Sequence, residues 1–467
     1  MWFMGRTERR HWDSREHASR AARPGDPQDS LFDAYVAHPI AGWEPMLSAS
    51  TWARVSRVSA RCRALEEPHG RGDVPAEWLL SRAESIASST IEDIRPSARR
   101  VARAEAQLGL FGKGPPNAEI QALRNVAITR HASDLARSGA GLTVELLCEL
   151  HSTLMGDDPI AGRLRDRQNW VGGGALGGPL GARHVGPPPG HVLDLLEDLV
   201  DYVNRNDGHP LVRAAVAHAQ FETIHPFPDG NGRTGRALIQ FMLSREGLVA
   251  GGTLPVSSAL MIERQRYFDA LDSFRLVCPP DDDARSRSAQ PWIELLAEAA
   301  SHACDLHDRL SSHVEALRKR WAALASAKRI RRSSAAFRLL EHLPANPVLT
   351  ADSARRLLET NERTARHAVA RLADAGILVQ RSAGRRNRVF ECSDMMDAFT
   401  ESARAQPAAN LTLSTPIRAL GPTCLARPDA VNAVDSHACN ATTRQGDLCR
   451  HPRPRPGGKC PAGHRRS

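Results

Sequence analysis

Residues 225–236 combine residue types that handle phosphate with a candidate base. The string reads HPFPDGNGRTGR, and an Ala- and Leu-rich stretch that predicts a helix begins within it at about Thr234. A glycine-bearing loop that opens a helix offers free backbone N–H groups and a positive dipole end to an anion. Arg233 and Arg236 are three residues apart, so their guanidinium groups project on the same side as that anion.

Asp229 and His225 add a metal ligand and a base to this phosphate site. A carboxylate beside phosphates favours a bridging divalent cation, and Mg²⁺ is the common one. A histidine with an ordinary pKa of ~6.5 accepts a proton at neutral pH. The combination indicates phosphoryl or nucleotidyl transfer. The alternative is a turn with a capping Asp and surface arginines.

The string resembles the Fic signature HPFx(D/E)GNGRxxR at every specified position. The resemblance implies an all-helical Fic core that transfers AMP from ATP, with Mg²⁺, to a Ser, Thr or Tyr hydroxyl of a target protein or of the chain itself. By motif position it assigns His225 as the general base and Asp229 as the Mg²⁺ ligand. It also assigns the phosphate-binding positions, the last of them to the γ-phosphate: Gly230, Asn231, Gly232, Arg233 and Arg236.

The segment 83–94, AESIASSTIEDI, predicts an amphipathic helix upstream of this site. Residues 88–93 resemble the inhibitory helix (S/T)xxxE(G/N) of many Fic proteins, except that Asp93 stands at the last place. The resemblance implies that Glu92, four residues after Ser88, forms a salt bridge to Arg236 and takes the arginine that the γ-phosphate needs. We therefore expect the resting protein to be inactive. The alternative is an ordinary helix with Ser88, Ser89 and Glu92 in solvent.

The Gly- and Pro-rich residues 171–189 predict a loop or a short hairpin. Residues 167–173 and 185–189 resemble the flap of Fic proteins, which is expected to hold an extended target segment by backbone pairing beside the base. A mobile surface loop is the alternative. The resemblance also suggests that Tyr267 lines the adenine pocket, although the amphipathic segment 263–276 would bury it in any case. His218 is interpreted as a core residue.

Residues 333–392 follow the helix, helix, helix, hairpin order of a winged helix. Thr350 and Thr360 are predicted N-caps, Gly376 a helix end, and residues 377–381 and 388–391 strands. Cations on the candidate recognition helix, 361–374, and on the wing predict salt-sensitive DNA binding, with dimerisation or protein docking as the alternative. These residues are Arg363, Arg366, His367, Arg371, Arg385, Arg386 and Arg388.

Three cysteines and a histidine near the C-terminus have the spacing C-x9-C-x10-C-x3-H. In a reducing compartment such a set fits tetrahedral Zn²⁺, and a segment without an apolar core folds only around the metal. Paired C-x2-C knuckles are lacking, so a disordered basic tail is the alternative. The candidate ligands are Cys439, Cys449, Cys460 and His464, with His437 and His451 as alternatives and Cys424 as a spare.

The length of 467 residues and the abundance of Ala, Leu and Arg predict a mainly helical protein of several units. No run approaches the ~18 apolar residues that cross a bilayer. A secretory signal is also lacking, so we expect a cytoplasmic protein without a membrane partner. A homodimer is a further expected partner. The helix from about 292 to 329 is predicted to be interrupted, and residues 281–283 to form a charged break between helices. The expected divisions are 1–30 disordered, 31–130 helical with the inhibitory helix at about 77–94, 131–325 Fic core, 326–395 winged helix-turn-helix, 396–430 linker and 431–467 zinc-binding tail.

Two other functions stay open at this point. One is a DNA-binding regulator whose Fic core senses a nucleotide; intact His225 and Asp229 argue against it, because sensing needs neither residue. The other is a Fic enzyme that removes AMP or transfers a different phosphate-containing group. The motif specifies a base and phosphate handling but not the far end of the donor, so it does not separate these reactions.

Overall fold

A computed structural model describes residues 6–13, 29–65, 76–111, 118–172, 178–249, 251–275, 282–381 and 388–403. Helices dominate these residues, as predicted. In chain order they are α1 Ala49–Ala64, α2 Glu77–Ile91, α3 Ala98–Phe111, α4 Ala118–Arg137, α5 Val144–Met155, α6 Val192–Asn204, α7 Pro210–Ile224, α8 Asn231–Arg245, α9 Val256–Ile262, α10 Arg264–Phe274, α11 Asp282–Ala327, α12 Ala335–His342, α13 Ala351–Leu357, α14 Glu362–Asp374 and α15 Ser393–Ala403. The strands are β1 Arg6–Asp13, β2 Asp29–Val36, β3 Trp170–Val171, β4 His184–Val185, β5 Val348–Thr350, β6 Val379–Gln380 and β7 Val389–Glu391.

The first hydrophobic cluster surrounds α7 and α8, which pack against each other and are buried on every side. A helix with apolar or small residues all round lies inside a fold rather than on its surface. Helix α4 packs on α8, whereas α6 and α11 pack on α7. Residues 225–230 form the loop that connects α7 to α8. Because both helices are buried, both ends of this loop are fixed in place.

The second cluster joins the start of α2, α3 and the C-terminal half of α11 to α12–α15 and a three-stranded sheet. The sheet order is β5-β7-β6, with antiparallel pairing throughout. The three predicted helices and the two predicted strands are present in order, with the unpredicted strand β5 between α12 and α13. The predicted Thr350 cap is also present and forms a capping box with Ser353. The predicted Thr360 cap is wrong, because the turn through Glu359, with φ 47°, ends one residue later and Asn361 caps α14.

The predicted disorder of residues 1–30 is wrong for 6–13, which form β1 and pair antiparallel with β2 from Arg6↔Val36 to Asp13↔Asp29. The region expected to be helical from residue 31 therefore starts with a strand. The polar sequence of β1 gives no local strand signal. Its backbone is satisfied by β2, whose Phe32 and Ala34 are buried against Val185, so tertiary pairing decides the conformation. Residues 1–5 and 14–28 lie outside the described residues.

Two further expectations are wrong at α11 and α15. Helix α11 runs for 46 residues with Pro291 inside it, and its Asp282 and Asp283 occupy the first turn, where acidic residues are favoured. The acidic run thus stands between α10 and α11, as predicted, with Asp282 and Asp283 already inside α11, whereas the predicted interruption of α11 is wrong. The linker expected from residue 396 begins later, because Met396 and Phe399 of α15 are buried in the second cluster.

The cysteine-rich segment lies beyond residue 403 and thus outside the described residues, as do Arg385 and Arg386 of the predicted wing. The zinc-binding tail stays a prediction. Among the helices that the structure describes, none combines the length and the apolar character needed to cross a membrane.

Candidate active site

His225 ends α7 in a left-handed backbone conformation, with φ 50° and ψ 60°. A non-glycine residue holds such a conformation only where its surroundings fix it. Here the carbonyl oxygen of His225 accepts hydrogen bonds from Arg165 Nε and from Asn169 Nδ2, both at 2.9 Å. Its own N–H donates to Phe221 O at 2.9 Å. Two other side chains therefore hold the backbone of His225 in place.

Arg165 was missed by the sequence analysis, yet it connects the hairpin to the catalytic loop. Its buried guanidinium also donates to the carbonyls of Pro187 and Ile224, and its backbone N–H donates to Pro226 O at 3.0 Å. Burial lowers the pKa of Arg165 to about 10, so the side chain stays charged at neutral pH. All of these acceptors are backbone carbonyl oxygens. Every residue type carries one, so the sequence contains no motif that identifies Arg165.

The side chains of Asn231 and His151 hold the loop of residues 225–230 in its conformation. Asn231 Oδ1 accepts from Phe227 N at 2.8 Å and Asn231 Nδ2 donates to Phe227 O at 2.7 Å, so its side chain shapes the loop. The His151 ring stacks on Phe227 with centres 3.9 Å apart. His151 Nδ1 accepts from Gly162 N, which leaves the hydrogen on Nε2 to donate to Asp229 O at 3.0 Å. His151 was also missed, because a histidine on an apolar helix face carries no motif.

The N-terminus of α8 is built to receive an anion. Gly230, with φ 76°, precedes the helix and no side chain caps the free N–H groups of the first turn. A β-carbon on Gly232 would overlap Glu92 Oε1, so the carboxylate lies directly against this turn. Arg233 Nε is buried without an acceptor among the described residues, and Arg233 Nη1 reaches Gln121 Oε1 only at 3.4 Å.

Arg236 is fully buried and bound to the end of α2. Its Nη2 lies 2.8 Å from Glu92 Oε1, and it donates to Ser88 Oγ and Ser88 O, both at 2.8 Å. Burial opposes the charge, but the Glu92 carboxylate, with Tyr267 and Glu222, holds the pKa of this guanidinium above its ordinary value. The predicted Glu92–Arg236 contact is therefore present, with Ser88 beside it.

Asp93 follows Glu92 with φ 61°. Glycine and asparagine tolerate this left-handed conformation best, so the structure gives a physical reason for Gly or Asn at the last place of the inhibitory motif. Asp93 is held instead by a two-pronged ion pair with Arg264, in which Nη1 is 2.9 Å from Oδ1 and Nη2 is 2.8 Å from Oδ2.

The His225 imidazole is neutral in this environment. Burial, with Arg275 and Arg165 nearby, lowers the pKa of His225 to about 3. Glu222 Oε2 lies 3.8 Å from His225 Nδ1, and burial raises the pKa of that carboxyl to about 7. A neutral imidazole has a free lone pair for a proton, but a pKa this far below neutrality makes His225 a weak base while Glu92 is bound to Arg236.

Asp229 is exposed and its Oδ1 accepts only the N–H of Gly230, at 2.7 Å. Among the described residues there is no group of three His, Cys, Asp or Glu that could hold a metal alone. Mg²⁺ commonly takes one or two carboxylates together with substrate phosphates. A single free carboxylate beside an anion site fits that pattern.

Tyr267 and His218 lie behind Arg236 in the core. Tyr267 is 1% exposed, and its hydroxyl is 2.9 Å from His218 Nε2. The His218 ring centre is 5.2 Å from that of Trp292, and burial lowers the pKa of His218 to about 3. His218 is a core residue, as predicted, whereas the burial of Tyr267 counts against the predicted place in an adenine pocket.

The predicted hairpin is confirmed: β3 pairs antiparallel with β4, from Trp170↔Val185 to Val171↔His184, and residues 173–177 lie outside the described residues. Arg183, just before β4, pairs with Asp269 and Asp272 of α10. The guanidinium groups of Arg183 and Arg264 each lie 5.5 Å from the Phe268 ring centre. Helix α10 therefore contacts both the hairpin and the end of α2.

Comparison with known proteins gives a match over the region of this site. The Fic/DOC family matches residues 141–243. The chain is 34% identical over 122 residues to protein adenylyltransferase fic-1 of Caenorhabditis elegans, which covers 25% of this chain and 22% of that relative. It is 30% identical over 171 residues to protein adenylyltransferase Fic of Aedes aegypti. The aligned residues make up 36% of this chain and 29% of that relative. The chain thus spans less than a third of the length of these curated relatives.

Solved structures of Fic proteins are also similar, at low identity. A Fic family protein from Desulfovibrio desulfuricans has a TM-score of 0.43 and 19% identity over 75% of this chain and 98% of that chain. A fragment of Fic-1 from C. elegans has a TM-score of 0.40 and 21% identity over 56% of this chain and 72% of that chain.

Proposed function

We propose that this chain, whose residues 141–243 are a Fic/DOC domain, is a protein adenylyltransferase. It transfers AMP from ATP to a Ser, Thr or Tyr hydroxyl of a target protein or of itself, and Glu92 restrains it. One observation carries the proposal: a carboxylate of the chain itself lies at the N-terminus of α8 and is bound by Arg236. The N-terminus of α8 and Arg236 together form an anion site, and the Glu92 carboxylate of the same chain occupies it.

The donors that bind Glu92 are those that a phosphate would use. Arg236 supplies forked N–H donors, and the first turn of α8 supplies backbone N–H groups and a dipole end. Arg233 adds a buried Nε without an acceptor among the described residues. A γ-phosphate and the Glu92 carboxylate therefore compete for Arg236, because one guanidinium edge does not serve both.

In the proposed reaction, His225 accepts the proton of the target hydroxyl as the hydroxyl oxygen bonds to the α-phosphorus of ATP. The bond from that phosphorus to the bridging oxygen breaks, and pyrophosphate leaves. Mg²⁺ held by Asp229 would neutralise charge on the phosphate oxygens. Arg165 and Asn169 keep His225 aimed, through its carbonyl oxygen. Orientation and electrostatic stabilisation supply most of the rate in such transfers.

The hairpin suits the role of target holder. It is a short pair of strands whose base is fixed to His225 O and Ile224 O by one arginine. A target segment that added a strand beside it would place a hydroxyl close to the base. The cytoplasmic location also stays a proposal, on the sequence grounds given above.

Release of the restraint involves the last turn of α2 more than the whole helix. Glu77 accepts from Thr253 N and Oγ1, both at 2.9 Å, and the buried Glu84 accepts from Ser257 N at 2.8 Å and Ser257 Oγ at 2.5 Å. These contacts fix the body of α2 to the segment before α9. Ser89 and Ile91 are also buried, whereas Glu92 and Asp93 lie beyond the helix and are exposed, so a release would need to move only Glu92 and Asp93 away from Arg236 and Arg264.

The test compares the full chain with Glu92→Gly and with Glu92→Gly/His225→Ala. Each is incubated with a cell lysate and ATP labelled at either the α- or the γ-phosphate. We expect Glu92→Gly to transfer α-label to protein well above the wild-type level, and the double variant to transfer none while it still binds ATP. Lysate kinases transfer γ-label in every sample, so only γ-label above the level of the double variant, without α-label, would indicate phosphate transfer and refute AMP transfer. ATP binding without any label in Glu92→Gly would favour the nucleotide-sensing regulator.

A further inference from the structure

The turn between α11 and α12 holds four cations on a fixed backbone. Lys328, Arg329 and Ile330 donate backbone hydrogen bonds into the last turn of α11, at 2.9–3.1 Å, and Arg329 has φ 52°. Ile330 is buried in the second hydrophobic cluster. Because Ile330 points inward, the flanking Lys328, Arg329, Arg331 and Arg332 are all exposed. The backbone positions of these four cations are therefore fixed in the free protein.

Helix α14 lies beside this turn. Arg371 Nη2 donates to Lys328 O at 2.8 Å, which joins the helix to the turn. The outward face of α14 consists of exposed residues at positions i, i+3, i+4 and i+7, which lie on one side of a helix. They are Arg363, Arg366, His367 and Ala370. The small Ala370 leaves room for close approach of a partner to the helix axis. We call Lys328, Arg329, Arg331, Arg332, Arg363 and Arg371 the basic ridge.

The basic ridge is unmatched by acidic side chains. Several other cations of this region are paired: Arg355 and Arg356 with Asp352, Arg381 with Glu391, Arg320 with Asp394, and, on α14 itself, Arg366 with Glu362. Among the described residues, no carboxylate forms a salt bridge with any member of the ridge. Same-sign charges held together repel one another in the free protein, and a polyanion relieves that repulsion.

The shape of this surface favours one kind of polyanion, duplex DNA. An α-helix fits the major groove of B-DNA, which is about 12 Å wide. Helix α14 has 13 residues and is preceded by α13 across a short turn, so it can enter the groove while cations at its side contact phosphates. We propose that the outward face of α14 lies in the major groove of duplex DNA and that the basic ridge binds the phosphate backbone. This inference goes beyond the proposed function and does not depend on it.

The test uses the full chain and fluorescence anisotropy with a labelled duplex of about 30 base pairs, near three helical turns. Affinity is measured over a series of salt concentrations. Arg331→Gln/Arg332→Gln should bind roughly tenfold more weakly at physiological salt and reduce the salt slope by about 2. Arg331→Lys/Arg332→Lys keeps the charges and should bind like the wild type. Thermal melting checks that each variant stays folded.

The matched control is Arg130→Gln/Arg137→Gln, which removes two positive charges from α4 and should leave DNA binding unchanged. An equal loss in this control would mean a response to net charge and would overturn the proposal. Unchanged binding by Arg331→Gln/Arg332→Gln would also overturn it and assign the DNA affinity to the basic C-terminal residues. Absence of wild-type binding at low salt, or tighter binding of a single strand than of the duplex, would likewise overturn the proposal.

Discussion

The Glu92 carboxylate lies so close to Gly232 that a β-carbon at that position would overlap Oε1. The glycine therefore permits the close approach of Glu92 to the first turn of α8, in addition to any approach of phosphate. The two residues are coupled through space, although they are 140 positions apart in the chain.

This contact predicts a non-additive pair of variants. Gly232→Ala should destabilise the wild-type protein by about 1–3 kcal/mol, because the methyl group and the carboxylate cannot both keep their places. In a Glu92→Gly background the same change should cost much less. Denaturant unfolding of the four proteins in this cycle measures the coupling. Equal costs in the two backgrounds would show that Glu92 does not occupy the turn.

The Asp93–Arg264 ion pair should strengthen the restraint. Both side chains are partly exposed, and exposed pairs are worth ~0.2–1 kcal/mol, so Arg264→Ala should raise basal AMP transfer by no more than a few-fold. Asp93→Asn keeps a residue that tolerates φ 61° and should have the same effect. The control is Arg266→Ala, which breaks a pair with Glu298 on α11. Activation by the control as well would refute a specific role of Arg264.

Asn169 should influence the rate through the backbone of His225. Asn169→Ala removes the hydrogen bond to His225 O and also one to Phe227 O at 3.1 Å. Left-handed non-glycine residues cost of order 1–3 kcal/mol, so weaker support should let the base move out of position. We expect kcat in the Glu92→Gly background to fall roughly tenfold or more with little change in ATP affinity. Loss of ATP affinity with kcat unchanged would contradict a positioning role.

Glu84 should make stability depend on pH. Burial raises the pKa of its carboxyl to about 7, from 4.5 for an exposed Glu. The native protein thus binds this proton more tightly than the unfolded chain does. The stabilisation is complete below pH 4.5 and is lost as the pH rises through 7. Relative to Glu84→Gln, the free energy of unfolding of the wild type should fall by roughly 2–3 kcal/mol between pH 4.5 and pH 8. Parallel curves for the two proteins would contradict this.

The sequence predicted the parts of the site that act through side-chain type and spacing. Arg236 and Glu92 were identified because each belongs to a short motif, and the structure brings them within 2.8 Å. Arg165 and His151 were not identified, and Asn169 was included only in the flap, because all three donate to backbone carbonyls, which any donor could serve. Strand β1 was missed for a similar reason: its partner, β2, begins 16 residues after β1 ends, and nothing local in a charged segment indicates the pairing.

Helix α11 runs through both hydrophobic clusters and should therefore affect how they unfold. By rise alone its 46 residues measure about 69 Å. Trp292 near one end donates its indole N–H to Ala215 O in the first hydrophobic cluster, and Trp321 near the other donates to Asp394 in the second. A single hydrogen-bonded rod is thus pinned in both clusters. Heat should therefore melt the two clusters together in one cooperative transition.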